Sequence, residues 1–221
     1  VGYVALSSDT LGERAVAVGE GALFTQNFTS ETNNYNTAVG YNAGYATTTG
    51  TVNTYLGGLA GSANTVGHNN VALGFNALLT DSHGSQSVAV GVGALQVQDN
   101  GTTATNFLNT AIGYNAGVAV TTGIQNTLIG GLAGDALTTG GDNVSIGFSS
   151  LSSTTTATNN SAVGTYALNA NTTGGSNVAM GYNSLGANTT ASNNTAIGTS
   201  ALTLNTTGAD NVAVGSFALD A

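Results

Sequence analysis

The chain has almost no basic residues. Arg14 is the single Lys or Arg, against ten Asp and Glu in 221 residues. Nucleic acids and anionic membranes are bound through clustered basic groups, so this composition argues against both as partners. The chain also has no cysteine, which excludes a disulfide framework and a thiolate metal site. No apolar run approaches the roughly 18 residues of a membrane span, so we expect no membrane insertion in this segment.

Proline and tryptophan are absent too, and the charged residues that usually make up about 25% of a soluble domain amount to 5% here. What the chain has instead is 33 glycines. A glycine preceded by an aliphatic residue recurs every 17 residues, with two longer steps of 21 and 22. These thirteen marker glycines are Gly2, Gly19, Gly40, Gly57, Gly74, Gly91, Gly113, Gly130, Gly147, Gly164, Gly181, Gly198 and Gly215.

Such a period is typical of a solenoid, in which each repeat packs only on its neighbours. The sequence therefore predicts an all-β fold, a parallel β-roll or β-solenoid of about thirteen 17-residue coils. Residues 1–221 are expected to form a single repeat array, with short insertions near 24–35 and 97–108. An array that begins within the repeat is expected to be a fragment of a longer fibre.

The residue directly before each marker glycine is Val, Ile, Leu or Met, the residue two places earlier is β-branched with little exception, and the residue between them is mostly Ala, as in Val71–Leu73. Alternation of β-branched or aliphatic residues at the first and third places predicts a short strand with those side chains in the core. The middle residue would then face outward. A strand that is apolar on both faces is usually buried on both, so we expect the middle alanines to contact other copies of the chain. They are Ala38, Ala72, Ala89, Ala111, Ala162, Ala179, Ala196 and Ala213.

The alternative is an exposed alanine row on a monomer. If the row is an interface, Ala179→Glu should disrupt assembly far more than Thr189→Glu.

Other columns of the repeat predict how each coil closes. Ala or Ser three residues after the marker, followed by Leu or Gly, predicts a second strand in each coil. A glycine ten residues after the marker, such as Gly50 or Gly67, predicts a tight corner with positive φ. Asparagines four residues before the marker are expected to form a structural ladder along the solenoid. The ladder includes Asn36, Asn70, Asn109, Asn143, Asn177 and Asn211.

The units "NNVALGFNAL", "NNTAIGTSAL" and "DNVAVGSFAL" resemble the head repeats of YadA-like trimeric autotransporter adhesins. They are also similar to the "NTAIGYNAL" arrays of phage tail fibres. The resemblance covers nearly the whole chain, although its 17-residue period is longer than the roughly fourteen-residue coil of the YadA head. It implies a left-handed β-roll, a homotrimer and attachment to a host surface receptor. It also implies an extracellular location, on a phage virion or a bacterial cell surface.

The two insertions carry aromatic residues among Thr and Asn, which suits stacking on a sugar. Phe28, Tyr35 and Phe107 are therefore the candidate receptor contacts, with a glycan as one candidate receptor. The alternative is that these loops only close a local irregularity. A further set of aromatic residues directly follows marker glycines and is expected to pack rather than bind. It comprises Tyr41, Phe75, Tyr114, Phe148 and Tyr182.

Titratable groups are too scattered to predict an enzyme, a metal site or a bound cofactor. Asp81, Ser82 and His83 have the composition of a catalytic triad, but consecutive residues of an extended segment cannot form its relay. His68 has no evident metal-binding partner. The glycine-rich stretches at 57–61 and 130–134 lack the Lys of a phosphate loop.

Ice binding is the alternative function, because stacked threonines on a β-solenoid can present ordered water. The candidate column is Thr48, Thr65, Thr121, Thr138, Thr155, Thr172, Thr189 and Thr206. Against this function, the threonines come in adjacent pairs, whose side chains should face opposite sides.

Overall fold

A computed structural model describes residues 1–220 of the chain, and every regular element in that range is a β-strand. The strands are short because each coil leaves its straight segment after three residues. In chain order they are β1 (Gly12–Glu13), β2 (Val16–Val18), β3 (Thr32–Asn33), β4 (Thr37–Val39), β5 (Thr54–Leu56), β6 (Val71–Leu73), β7 (Gly84–Ser85), β8 (Val88–Val90), β9 (Thr105–Asn106), β10 (Thr110–Ile112), β11 (Thr127–Ile129), β12 (Val144–Ile146), β13 (Ser161–Val163), β14 (Val178–Met180), β15 (Thr195–Ile197) and β16 (Val212–Val214).

The chain divides into two compact units, Val1–Asn109 and the residues from Thr110 onward. In the first unit, five three-residue strands pair in the order β8-β6-β5-β4-β2, and in the second unit seven pair in the order β16 to β10. All these pairs are parallel, and partners in the second unit are offset by 17 residues, as in Thr110 with Thr127. The predicted parallel β-solenoid is therefore confirmed.

Each coil contains one three-residue strand, which corrects the prediction of two. The segment after the marker glycine forms consecutive turns. Its leucine has a left-handed backbone, with φ of 51° at Leu168 and 49° at Leu185. That conformation costs about 1 kcal/mol for a residue with a Cβ and ends any extended segment. The leucine side chains are nevertheless buried, so burial offsets the backbone strain.

The faces of the strands are the reverse of the prediction. The middle alanines, from Ala38 to Ala213, point into the solenoid and are 0–3% exposed in the single chain. In the second unit they pack against the alanine and leucine of the turn segment, as Ala179 does with Leu168 and Leu185. The interior between strand and turn is narrow, so the smaller side chain faces inward and the branched ones face outward. The alanine column therefore cannot be an interface between chains.

At the corners of the 17-residue coils glycine is needed for space rather than for positive φ, whereas Gly101, in an elongated coil, has a φ of 64°. Gly50 and Gly67 do not have positive φ, contrary to the prediction. A Cβ at either position would overlap the carbonyl oxygen of the corresponding glycine one coil further on. Positive φ occurs at the marker glycines instead, for example 141° at Gly40, where a Cβ would overlap the backbone of Gly57. Adjacent coils thus approach backbone to backbone at two places per turn.

Where the middle residue of a strand is large, glycine replaces the leucine of the neighbouring turn. Tyr55 stands where most strands have alanine. In the turns beside it, Gly44 and Gly61 stand where most coils have leucine, and the Tyr55 ring fills the space that those leucines would occupy. A Cβ on Gly44 would lie 2.6 Å from Cδ2 of Tyr55, and one on Gly61 would overlap the same ring. Leu128 has the same relation to Gly134, whose Cβ would lie 2.9 Å from Cδ2 of Leu128.

The asparagine column links successive coils, mostly from side chain to backbone. Asn177 is representative: its Oδ1 accepts the backbone N–H of Asn194 at 2.9 Å, and its Nδ2 donates to the carbonyl oxygen of Ala191 at 2.9 Å. The same pattern recurs at Asn143 and Asn160. Each amide therefore satisfies backbone groups that would otherwise be buried without a partner.

Candidate functional site

The insertions place their three candidate receptor contacts differently. Phe28 is 6% exposed and Phe107 is fully buried, so neither ring can stack on a receptor. Tyr35 is 49% exposed. Its hydroxyl accepts a 2.6 Å hydrogen bond from Nη1 of Arg14, whose guanidinium carbon lies 5.5 Å from the ring centroid. Only Tyr35 is thus available for contact, and the chain's one basic side chain rests on it.

A buried polar relay fixes each insertion to the coil before it. In the first unit, Oδ2 of Asp81 accepts a 2.8 Å hydrogen bond from Nε2 of Gln98, and Oε1 of Gln98 accepts one at 2.8 Å from Asn109. Asp9, Gln26 and Asn36 repeat this carboxylate–amide–amide arrangement at the first insertion. The glutamines belong to the two elongated coils, so the relay marks the insertions rather than a ligand site.

Asp81 is the most perturbed carboxylate of this relay. Burial raises the pKa of its carboxyl to about 6, and the nearby Asp99 carboxylate raises it further. The hydrogen bonds from Gln98 and from the Gly84 backbone N–H oppose this rise, as does His83. A buried carboxyl whose pKa is raised in the folded chain makes the stability of the fold sensitive to pH in the acid range.

Ser82, His83 and Asp99 lie together but not in the order of a catalytic triad. Oγ of Ser82 lies 2.7 Å from Oδ1 of Asp99 and 2.9 Å from Nδ1 of His83. The serine therefore stands between the acid and the histidine, whereas in a triad the histidine stands between the other two. His68 pairs through Nδ1 with Ser85 at 3.2 Å, one coil along. No cluster of three potential metal-binding side chains occurs among the described residues.

The outward face of the three-residue strands is a surface with no role in the contacts described so far. Their third residue is aliphatic in every coil and lies half-buried or exposed, with Leu56 and Met180 each 42% exposed. Their first residue is Val, Thr or Ser. None of these strands contains a charged residue. We call this surface the outward strand face.

The aromatic residues that follow marker glycines are exposed, which corrects the expectation that they pack. Their exposed fractions lie between 47% at Phe148 and 61% at Tyr114. They occur in alternate coils, with a small or non-aromatic residue between them. We call this set, including Tyr3, the aromatic row: it comprises Tyr3, Tyr41 and Phe75 in the first unit and Tyr114, Phe148 and Tyr182 in the second.

Six of the eight candidate ice-binding threonines use their hydroxyls within the fold. Oγ1 of Thr138 donates to the carbonyl oxygen of Thr155 at 3.0 Å, and Thr172 donates to Thr189 in the same way. These hydroxyls therefore form hydrogen bonds between neighbouring coils and are not free to order water. In the second unit, the adjacent threonines are exposed at the corner of each coil: Thr122, Thr139, Thr156, Thr173, Thr190 and Thr207.

Comparison with protein-family models found no match, and comparisons with curated proteins and solved structures found no significant similarity. Among residues 1–220 there is also no helix long and apolar enough to cross a membrane. The function must therefore be inferred from the surfaces described above.

Proposed function

We propose that this chain is a segment of a structural fibre, a tail-fibre or adhesin shaft or head, that attaches its carrier to a host surface. In this proposal several copies associate through the outward strand face. The resemblance to trimeric adhesins and tail fibres suggests three copies, outside the cell or on a virion.

The observation that supports this proposal is the apolar character of the outward strand face. A sheet with one face toward solvent normally alternates apolar and polar residues. Here the inward residue is alanine in most coils and the third, outward residue is aliphatic in every one, while the first outward residue is Val, Thr or Ser. In β14, Val178–Met180, both outward residues are apolar. Contiguous apolar surface of this kind typically marks an interface.

Charge placement favours other copies of the chain as the occupant of this face. Ten acidic residues give each copy a net charge of -9, so the copies repel one another at long range. The acids are absent from all the three-residue strands. Contact through this face therefore brings together neutral surfaces and leaves the carboxylates outside it.

The test is the mass of the native particle by light scattering, with two glutamate variants of one coil. We expect about three times the 21.5 kDa chain mass. Met180→Glu should yield monomers with an unchanged circular dichroism spectrum, because it puts a charge on the outward strand face. Thr173→Glu, at the exposed corner of that coil, is the matched control and should keep the wild-type mass. A wild-type monomer would refute association through this face.

Ice binding is kept as a second candidate because of the exposed corner threonines of the second unit. Six of them recur in consecutive coils. A monomer with thermal hysteresis that is lost in Thr156→Glu would favour this candidate. The absence of thermal hysteresis would remove it.

A further inference from the structure

We infer that the aromatic row of the second unit, Tyr114, Phe148 and Tyr182, binds an extended, uncharged β-1,4-linked polysaccharide that runs along the stacking direction of the coils of that unit. This inference rests on the proposed attachment function and names the class of ligand. It assigns the contact to the alternate-coil rings rather than to the insertions.

Spacing is the first support. Parallel strands in neighbouring coils are about 4.8 Å apart, so rings in alternate coils recur at roughly 10 Å. A β-1,4-linked chain with a two-fold screw presents the same sugar face once per disaccharide, a length close to two strand spacings. The row can therefore stack on every second sugar without a change of register. An α-1,4-linked chain coils and does not match a straight row.

The residues between the rings keep the row accessible. In the second unit these are Gly131 and Thr165, and in the first unit Gly58 separates Tyr41 from Phe75. A Cβ on Gly131 would lie 3.5 Å from Cδ2 of Phe148, so the ring leans over the glycine of the preceding coil. A large side chain at that position would lift the ring from the surface.

The second unit has the most continuous aromatic surface. Tyr166, from the intermediate coil, packs edge-to-face against Phe148 at 5.8 Å and against Tyr182 at 6.2 Å between ring centroids. Such contacts hold the rings in fixed orientations at little further entropic cost on binding. Asn115 and Asn183 directly follow Tyr114 and Tyr182 in the chain, and both are half-buried.

Charge determines the class of polysaccharide. The chain carries a net charge of -9, and its single arginine lies against Tyr35. An acidic polysaccharide would be repelled by this field and would find no cluster of basic groups to bind. A neutral chain, bound through apolar C–H faces and amides, meets neither obstacle.

The test is isothermal titration calorimetry of the native particle with cellohexaose and with chitohexaose. Maltohexaose, with α-1,4 linkages, and polygalacturonate, which is acidic, are the controls. We expect binding of at least one β-1,4 hexaose and of neither control. Phe148→Ala and Tyr182→Ala should each weaken binding at least tenfold. Thr199→Ala, at the same place in a coil without a ring, should bind as the wild type does.

Three results would overturn the inference: no binding of either β-1,4 hexaose, equal binding of maltohexaose, or a changed particle mass in the ring variants. The last result would mean that the row lies between copies of the chain. Particle mass separates this inference from the proposed function. A trimer that binds no sugar contradicts only the polysaccharide site, and a monomer that binds cellohexaose contradicts only the association.

Discussion

Replacement of Asp81 by asparagine should remove most of the acid-range pH dependence of stability. Burial raises the pKa of this carboxyl from 3.8 to about 6 in the folded chain. The folded state therefore takes up a proton at higher pH than the unfolded state does. It follows that the free energy of unfolding is highest below pH 4, falls as the pH rises from about 4 to about 6, and then stays at the lower value.

The size of this fall follows from the pKa difference. A shift of about two units at about 1.4 kcal/mol per unit corresponds to about 3 kcal/mol. The amide of the Asp81→Asn variant cannot titrate, so its contribution should be constant with pH. In the wild type, Nε2 of Gln98 and the backbone N–H of Gly84 both donate to the Asp81 carboxylate. The asparagine offers only one acceptor oxygen, so its NH2 group faces one of these two donors. That mismatch lowers stability at every pH and leaves the predicted change in slope intact.

The measurement is urea unfolding between pH 3.5 and 8, followed by tyrosine fluorescence, since the chain has no tryptophan. Asp142→Asn, at an exposed position, is the matched control and should keep the wild-type slope. If Asp81→Asn shows the same pH dependence as the wild type, another group carries the effect and the reasoning is refuted.

Three further predictions test the packing. Tyr55→Ala should lower the free energy of unfolding, measured with urea, by about 3–5 kcal/mol. Gly61→Leu alone should also destabilise the chain because the leucine overlaps the Tyr55 ring, but added to Tyr55→Ala it should restore part of the lost stability. If the double variant shows no such rescue, the leucine does not fill the space left by the tyrosine ring. Ala179→Glu should unfold the chain by circular dichroism, whereas Met180→Glu should only dissociate it, and a folded Ala179→Glu monomer would contradict the inward position of the alanine. Asn177→Ala leaves the backbone groups of two other residues unpaired and should cost about 3 kcal/mol, and an unchanged urea midpoint would show that the amide bonds contribute little.

The period of the repeat predicted most of the fold. Marker glycines at 17-residue intervals correctly gave the parallel pairing and its offset, because residues at the same place in successive repeats stack on one another. They could not give the orientation of each strand. In Val178–Met180 the middle side chain and the two flanking side chains are all apolar. The alternation therefore does not determine whether the middle residue or the flanking residues face the interior. The narrow interior decides between them, and its width depends on the turn that Leu168 and Leu185 close.

The candidate binding surface was less predictable. Phe28, Tyr35 and Phe107 are similar residues in similar loops, and only the backbone path of each insertion determines which ring is buried. The aromatic row could have been recognised as an exposed surface from the sequence. Rings such as Tyr114 and Phe148 recur in alternate coils, a period that core residues of identical coils have no reason to show.

The shared volume between Tyr55 and its glycines limits how the gene for such an array can change. Tyr55 with Gly61, and Leu128 with Gly134, stand 73 residues apart in the sequence. Because each large side chain occupies space in the neighbouring coil, deletion of a single 17-residue coil would bring Tyr55 against a leucine. Loss of one repeat at that point should therefore destabilise the fold. A length change that keeps Tyr55 together with Gly44 and Gly61 avoids this clash.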